Sequence, residues 1–300
     1  MPKKESALRL DKMLQEKTGL SRKKVKRLLD EGRVLLNNRK VVIASWDVHP
    51  RDQIKILAEG EESLPQADRH FLKVIHEDHD LLVIEKDPGL SCEKSAVATR
   101  PSIVSVINAY LKRKYPHLKG HYVGLVHRLD QGTSGLMVYT KTKEANKITD
   151  QFKRHTIRRK YLAIVEGRVD KENGIIEGYL KKSDLLQGGR KVTVSTPESG
   201  RHAVTRFQVK ERYQNATLVE IRLDTGRTHQ IRVHMASIKH PVAGDKNYGD
   251  HKAPRITFSR QALHASFLGF HHPITGQKME FSSELPRDLR KLIDRLRMAS

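Results

Sequence analysis

The sequence predicts an α+β protein, a mixed and mainly antiparallel sheet with flanking helices, preceded by a small α/β module at the N-terminus. Three observations carry that reading. From Phe71 to about Arg297, apolar stretches of strand length alternate with turns and a few helical stretches, without the regular strand-helix-strand period of a parallel fold. Residues 1–58 carry a different pattern, two short amphipathic helices followed by short strands. Between them EGEESLPQADR, polar, acidic and containing Pro65, has the composition of a linker. The expected division is therefore a module over 1–58, a linker over 59–70 and a larger domain over 71–300.

Composition narrows the function classes. Charged residues at 31% against 37% apolar describe a soluble chain with a large charged surface, and 300 residues are enough for two cores. The formal net charge of +22 points to polyanions, either nucleic acid or an anionic membrane. Nucleic acid is favoured, because no basic amphipathic helix has the large aromatic or leucine face of a membrane anchor. No apolar run is long enough to span a bilayer, and MPKKESALRL lacks the apolar centre of a signal peptide, so a cytoplasmic protein without membrane contact is expected. One cysteine, Cys92, rules out an internal disulfide and a cysteine-rich zinc site. The 16 histidines form no HExxH and no ligand pairs with cysteine, so no metal is expected.

In the module, Leu8, Leu10, Met13 and Leu14 suggest a first helix. A second begins at Ser21, a good N-cap, with Val25, Leu28 and Leu29 on one face and Gly32 placed to end it. Its other face holds Arg22, Lys23, Lys24, Lys26 and Arg27. RVLLNNRKVVIA then reads as two strands around a turn at Asn37 and Asn38, with QIKIL at 53–57 as a further strand. Residues 1–58 carry 15 Lys and Arg against 7 Asp and Glu, a dense positive surface for so small a unit.

In the larger domain HDLLVIEKDPG reads as a buried strand running into a proline-glycine turn, and SIVSVINAYLKRKY as a helix with Ile103, Ile107 and Leu111 on one face. HYVGLV is a predicted strand leading directly into HRLDQGTSG, and GLMVYTKT a strand leaving it. KEANKITDQFKRH reads as helical, and KYLAIVEGRV and TLVEIRL as strands, the latter entering the turn of DTGRTHQIRVH. HRLDQGTSG draws attention because it sets Asp130 beside Arg128 in a turn; nearby positive charge favours an ionised carboxylate, which can act as nucleophile or base. Locally, Asp before Gly, Thr and Ser is ordinary turn chemistry. Tyr161, at a strand start after a basic run, suits core packing or a wall that stacks a base. In GRTHQIRVH, Thr228 is placed to cap a helix and bring Arg227, His229, Arg232 and His234 together, with Arg232 suited to bidentate pairing with a carboxylate.

Taken together these stretches resemble known families. RLDKMLQEKTGLSRKKVKRLLDEGRVLLNNRKV with RDQIKI resembles the S-four-like (S4) RNA-binding domain, which implies a grip on structured RNA largely through phosphates. Over nearly all of 71–290 the chain resembles the RluA-type pseudouridine synthases: HRLDQGTSGLMVYTKT is similar to the family's catalytic motif, RKYLAIV to its tyrosine motif and GRTHQIRVHM to its arginine motif, in order. DLLVIEKDPGL, HPVAGDKNYG and QALHASFLGFHHP fit as flanks. The first motif departs from the usual asparagine-lysine-proline-alanine-glycine, reading EKDPG, and LSCEKS lacks the common ending; these changes bear on the RNA target.

The resemblance implies a pseudouridine synthase fold and isomerisation of uridine to pseudouridine without a cofactor, on structured RNA, with large-subunit (23S) ribosomal RNA ahead of small-subunit RNA and tRNA. It implies catalytic roles for Asp130, Tyr161 and Arg232. Asp130 would attack C1′ or take a proton from C2′, Arg232 would hold and charge-stabilise it, and Tyr161 would stack on the uracil and assist proton removal at C5. The base must be flipped out to be reached. Arg128 would fill the space it leaves, with His127, Arg227, His229 and Leu268 as further substrate contacts, and Arg22, Lys23, Lys24, Lys26 and Arg27 as RNA contacts. No protein partner is inferred, and a monomer is the working expectation. Two rival readings stand beside this one: a non-catalytic RNA-binding or ribosome-assembly protein, and an RNA-cleaving hydrolase using His127 and Asp130.

Overall fold

A computed structural model of the chain describes residues 8–31, 33–36, 39–40, 47–48, 52–58, 72–92, 102–118, 120–185, 189–249 and 256–299. At the N-terminus β1 (Leu8–Arg9) leads into α1 (Leu10–Thr18), then α2 (Arg22–Asp30), β2 (Val34–Leu36), β3 (Arg39–Lys40), β4 (Asp47–Val48) and β5 (Ile54–Ile56). Leu8, read from periodicity as helical, is instead a strand residue, because Leu8 and Arg9 pair antiparallel with Val48 and Asp47. Ser21 caps α2 as expected, its hydroxyl accepting from the Lys24 N–H. Leu10 and Leu14 of α1, Val25 and Leu29 of α2, and Val34, Leu36 and Val48 close one small core. Arg22, Lys23, Lys24, Lys26 and Arg27 are all exposed on the other side of α2. The expected stop at Gly32, the turn at Asn37 and Asn38, and the linker lie outside the described residues.

The remaining strands, β6 (Leu72–Glu77), β7 (Leu81–Lys86), β8 (Gly124–Leu125), β9 (Ser134–Thr140), β10 (Arg158–Glu166), β11 (Asn173–Leu185), β12 (Gly189–Ser195), β13 (Arg201–Arg212), β14 (Ala216–Leu223), β15 (Leu263–His271) and β16 (Lys278–Ser282), form one sheet. Its order is β12-β11-β13-β14-β10-β15-β9-β7-β6, with β8 also on β9 and β16 also on β15. Every pairing is antiparallel except β9 with β15. Among the described residues four α-helices accompany it: α3 (Ile103–Lys114), α4 (Ile148–Lys153), α5 (Gln230–Ser237) and α6 (Arg287–Met298).

Burial explains the strand patterns. β9 is buried at all seven residues, so SGLMVYT reads as a continuous apolar run, whereas β13 alternates buried and exposed through Thr205, Arg206, Phe207 and Gln208. Ser102 caps α3 by accepting from the Ser105 N–H, and Ile103, Ile107 and Leu111 face the core. HYVGLV contributes only the two-residue β8. At the parallel junction Gly135 sits at φ +117°, and a Cβ there would meet the backbone of Ala265 at 2.2 Å, so glycine alone lets β9 and β15 close up. The segment before β9, which holds Asp130, thus emerges beside the β9–β15 junction.

Candidate active site

Backbone pins fix the Asp130 segment from both sides. The Asp130 carbonyl accepts from the Thr133 N–H, and the Gly89 N–H donates to the Gln131 carbonyl at 2.7 Å. Lys86, fully buried at the end of β7, donates through Nζ to the carbonyls of Asp87, Leu90 and Gln131 at 3.0–3.2 Å. Burial lowers its ammonium pKa to about 8. Arg260 Nη1 donates to the Gly132 carbonyl at 3.0 Å while its Nε and Nη2 grip Asp288. The turn carrying the carboxylate is therefore tied to β7, to the chain before β15 and, through Asp288, to α6.

The carboxylate itself meets α5. Arg232 Nη1 donates to Asp130 Oδ2 at 3.0 Å, across 102 residues of sequence. The rest of that guanidinium is held by Asp245, with Nε to Oδ2 at 2.6 Å and Nη2 to Oδ1 at 2.8 Å. Asp245 has no exposed side-chain surface, Arg232 has 6% and Asp130 has 22%, so the open end of the chain of charges is the Asp130 carboxylate. Burial works against the charged form of Arg232, but the hydrogen bonds and charges of Asp245 and Asp130 outweigh it and hold its pKa above the ordinary value. Asp245 also accepts from the Asn247 and Tyr248 N–H groups, and the Arg232 guanidinium lies 5.0 Å from the centre of the Tyr248 ring.

His229 completes this side. It occupies the N-cap position of α5 at φ +54°, in the left-handed region that favours glycine, so the helix starts after His229 and Thr228 does not cap it. Gln230 secures the turn by accepting from the Arg227 N–H and the Thr225 hydroxyl and donating to Val204 and Thr205. His229 Nε2 lies 3.8 Å from Asp130 Oδ1, and Nδ1 bonds the Tyr248 hydroxyl at 2.8 Å. Burial lowers the His229 pKa, with the Asp130 charge opposing it.

Tyr161 on β10, between Ile221 and Ala265, is 6% exposed. Burial raises its phenol pKa, while the Arg159 charge lowers it and the Asp130 charge raises it.

The other predicted residues spread around this centre. Arg128 is exposed. Arg227 donates from Nε to the His202 carbonyl at 2.9 Å. His234 is buried and bonded to the Thr205 hydroxyl, its pKa lowered to about 4 by burial. His127 Nε2 accepts from the Val138 N–H at 3.0 Å, and its ring stacks on Phe152 with centroids 4.8 Å apart. Burial, aided by the Arg159 charge, lowers the His127 pKa to about 3. A ring so committed is neutral at working pH, which removes the support for a hydrolase that uses it as acid or base. Leu268, 2% exposed, lies cross-strand from Arg159 in a cluster with Val138, Ile157 and Phe270 that does not include Tyr161. Asp245, Lys86 and Tyr248 escaped sequence reasoning. The glycine-led AGDKNYG turn was the available signal for Asp245 and Tyr248; Lys86 looks like any lysine closing a strand.

The chain is similar to known proteins. Residues 80–237 match the family of RNA pseudouridylate synthases, and residues 8–54 match the S4 domain. The chain is 37% identical over 292 residues to an uncharacterized RNA pseudouridine synthase of Bacillus subtilis, covering 96% of this chain and 94% of that protein. It is 35% identical over 303 residues to ribosomal large subunit pseudouridine synthase D of Haemophilus influenzae, covering 96% and 91%. Among solved structures, human RNA pseudouridylate synthase domain containing 4 superposes with a TM-score of 0.62 at 25% identity, over 75% of this chain and 93% of that one.

Proposed function

The chain belongs to the RNA pseudouridylate synthase family, and from that premise we propose that it isomerises uridines of large-subunit (23S) ribosomal RNA, with Asp130 as the reacting carboxylate and a monomeric, cytoplasmic chain doing the work. The carrying observation is the line of charges Asp245–Arg232–Asp130, buried at one end and open at the other. A protein that only held RNA would have no use for a carboxylate fixed this way.

Asp130 Oδ2 is engaged by Arg232, while among the described residues Oδ1 has only His229, at 3.8 Å. Oδ1 is the atom free to act, whether it attacks C1′ of the ribose or removes the proton at C2′. Arg232 is a positioning residue, aiming the carboxylate without meeting the substrate. The uracil, freed from C1′, turns against the Tyr161 ring and bonds to C1′ through C5, displacing the Asp130 carboxylate or recovering the proton Asp130 took from C2′; C5 then gives up its proton and N1 takes one, both exchanged with solvent. A phenol whose pKa burial has raised keeps its proton, so Tyr161 contributes its face first and a hydroxyl hydrogen bond second. The base must leave its stack at a cost of a few kcal/mol, and exposed Arg128, two residues before Asp130, has the planar group to occupy the vacated place. The S4 module adds phosphate contacts through α2. Large-subunit RNA as target rests on the names of the relatives matched over most of their length.

The test is release of the C5 hydrogen from RNA labelled at uridine C5, with RNA length monitored. The wild-type chain should release label from large-subunit RNA and leave it intact. Asp130→Asn should release none while still binding RNA. Turnover by Asp130→Asn would remove Asp130 from the chemistry, and shortened RNA would point to a hydrolase.

A further inference from the structure

Arg159 stands apart from the other site arginines. Arg232, Arg260 and Arg206 each grip an aspartate, and Arg227 binds a carbonyl. Arg159 makes no ion pair and no hydrogen bond among the described residues, and its Nε is buried without a partner. A half-buried cation with an orphaned donor is held by something other than its own polar contacts.

What holds it is shape. The guanidinium lies over the Phe152 ring, 5.7 Å from its centre. On another side it abuts Gly226, where a Cβ would come within 3.1 Å of Nη1 and 3.4 Å of Nη2, so the absence of a side chain in the turn before α5 makes the space. Arg159 and Tyr161 are alternate residues of β10, about 7 Å apart along the strand, with a register shift against β15 between Lys160 and Tyr161. The cation therefore sits next to the stacking ring rather than in the reacting centre. Asp224, two residues before Gly226, is taken up by Arg206 at 2.7 Å. A fork held in place and facing no protein anion suits an anionic ligand that accepts two parallel hydrogen bonds.

We propose that Arg159 is an RNA-binding residue that takes the phosphodiester next to the reacting uridine, anchoring the backbone while the base lies on Tyr161. This rests on the pseudouridine synthase reading for the identity of the ligand, but not for its chemistry. The anchor gives a reason for a glycine, Gly226, at the start of the arginine motif.

Binding of a short oligouridylate to the full-length chain, measured by fluorescence anisotropy across a range of KCl concentrations, tests it. Arg159→Gln should weaken binding about tenfold, in the range of a lost charge-assisted hydrogen bond. It should also lower the slope of log affinity against log salt by about 0.7, the loss of one phosphate on a single strand. Arg159→Lys should keep the slope. Arg159→Met, which preserves packing on Phe152, serves if the glutamine variant melts early. An unchanged slope in the neutral variants overturns the assignment, since loss of packing alone releases no counterions. C5-hydrogen release by the wild-type chain is read separately. Its absence would overturn the enzymatic reading while a lowered slope still supported the phosphate contact; its presence with an unchanged slope would overturn the phosphate contact alone.

Discussion

Asp245→Ala is the most informative perturbation of the site, because Asp245 touches no substrate in the proposed reaction. Its side chain is wholly buried and supplies two of the three hydrogen bonds that hold Arg232, as well as accepting from the N–H groups of Asn247 and Tyr248. Removing one partner of a buried ion pair costs about 3–5 kcal/mol, because the remaining charge is left without compensation. Asp130 still faces the guanidinium at 3.0 Å, so the lower half of that range applies, about 3 kcal/mol. Urea unfolding followed by circular dichroism reads it as a fall in midpoint at unchanged slope. The double replacement Arg232→Met with Asp245→Leu removes both charges and fills the space, so it should recover most of the lost stability. It should recover no C5-hydrogen release, because nothing aims Asp130. A loss below about 1 kcal/mol for Asp245→Ala, in the range of an exposed pair, would refute the picture of a buried charge chain. So would a double variant that turned over normally.

Lys86→Met keeps the apolar stem and removes the donor shared by three carbonyls; it should cost about 1–3 kcal/mol for the groups left unpaired and, by loosening the Asp130 turn, lower kcat more than it raises KM. His127 has a folded pKa of about 3, below its unfolded value of about 6.5, so its contribution to stability is fully present above that unfolded value and is lost as pH falls from there toward 3. At pH 5 the loss is about 2 kcal/mol, and His127→Gln, which can still accept from Val138, should flatten the stability-pH curve in that window; an equally steep curve would show that other groups set it. Replacing Lys23, Lys24 and Lys26 by Gln should weaken RNA binding and reduce its salt slope by up to about 0.9 per lost phosphate contact, with no change in melting temperature since all three side chains are exposed.

Much of the fold could be read along the chain because its signals are short-range. Ser21 and Ser102 announce helix starts by the oxygen they offer an N–H three residues on, and the apolar run GLMVY within β9 announces a strand covered on both faces. Where reading failed, a distant partner had decided the matter. Leu8 fits a helical period but pairs with Val48, and Thr228 has a cap's chemistry but lies before a helix that starts after a left-handed His229.

The site divides the same way. Asp130, Tyr161 and Arg232 stand out because the three motifs that carry them resemble a family, and the motif order survives in one dimension. Which charge neutralises which was left to the tertiary structure. Arg128 is the cation nearest to Asp130 in sequence, yet Arg232 reaches the carboxylate from 102 residues away and is itself held by Asp245, a residue whose AGDKNYG turn does not say which cation it meets. The strength of a charge pair depends on burial and on the remaining hydrogen bonds of each partner, and those are properties of the assembled sheet and of α5 rather than of neighbouring letters.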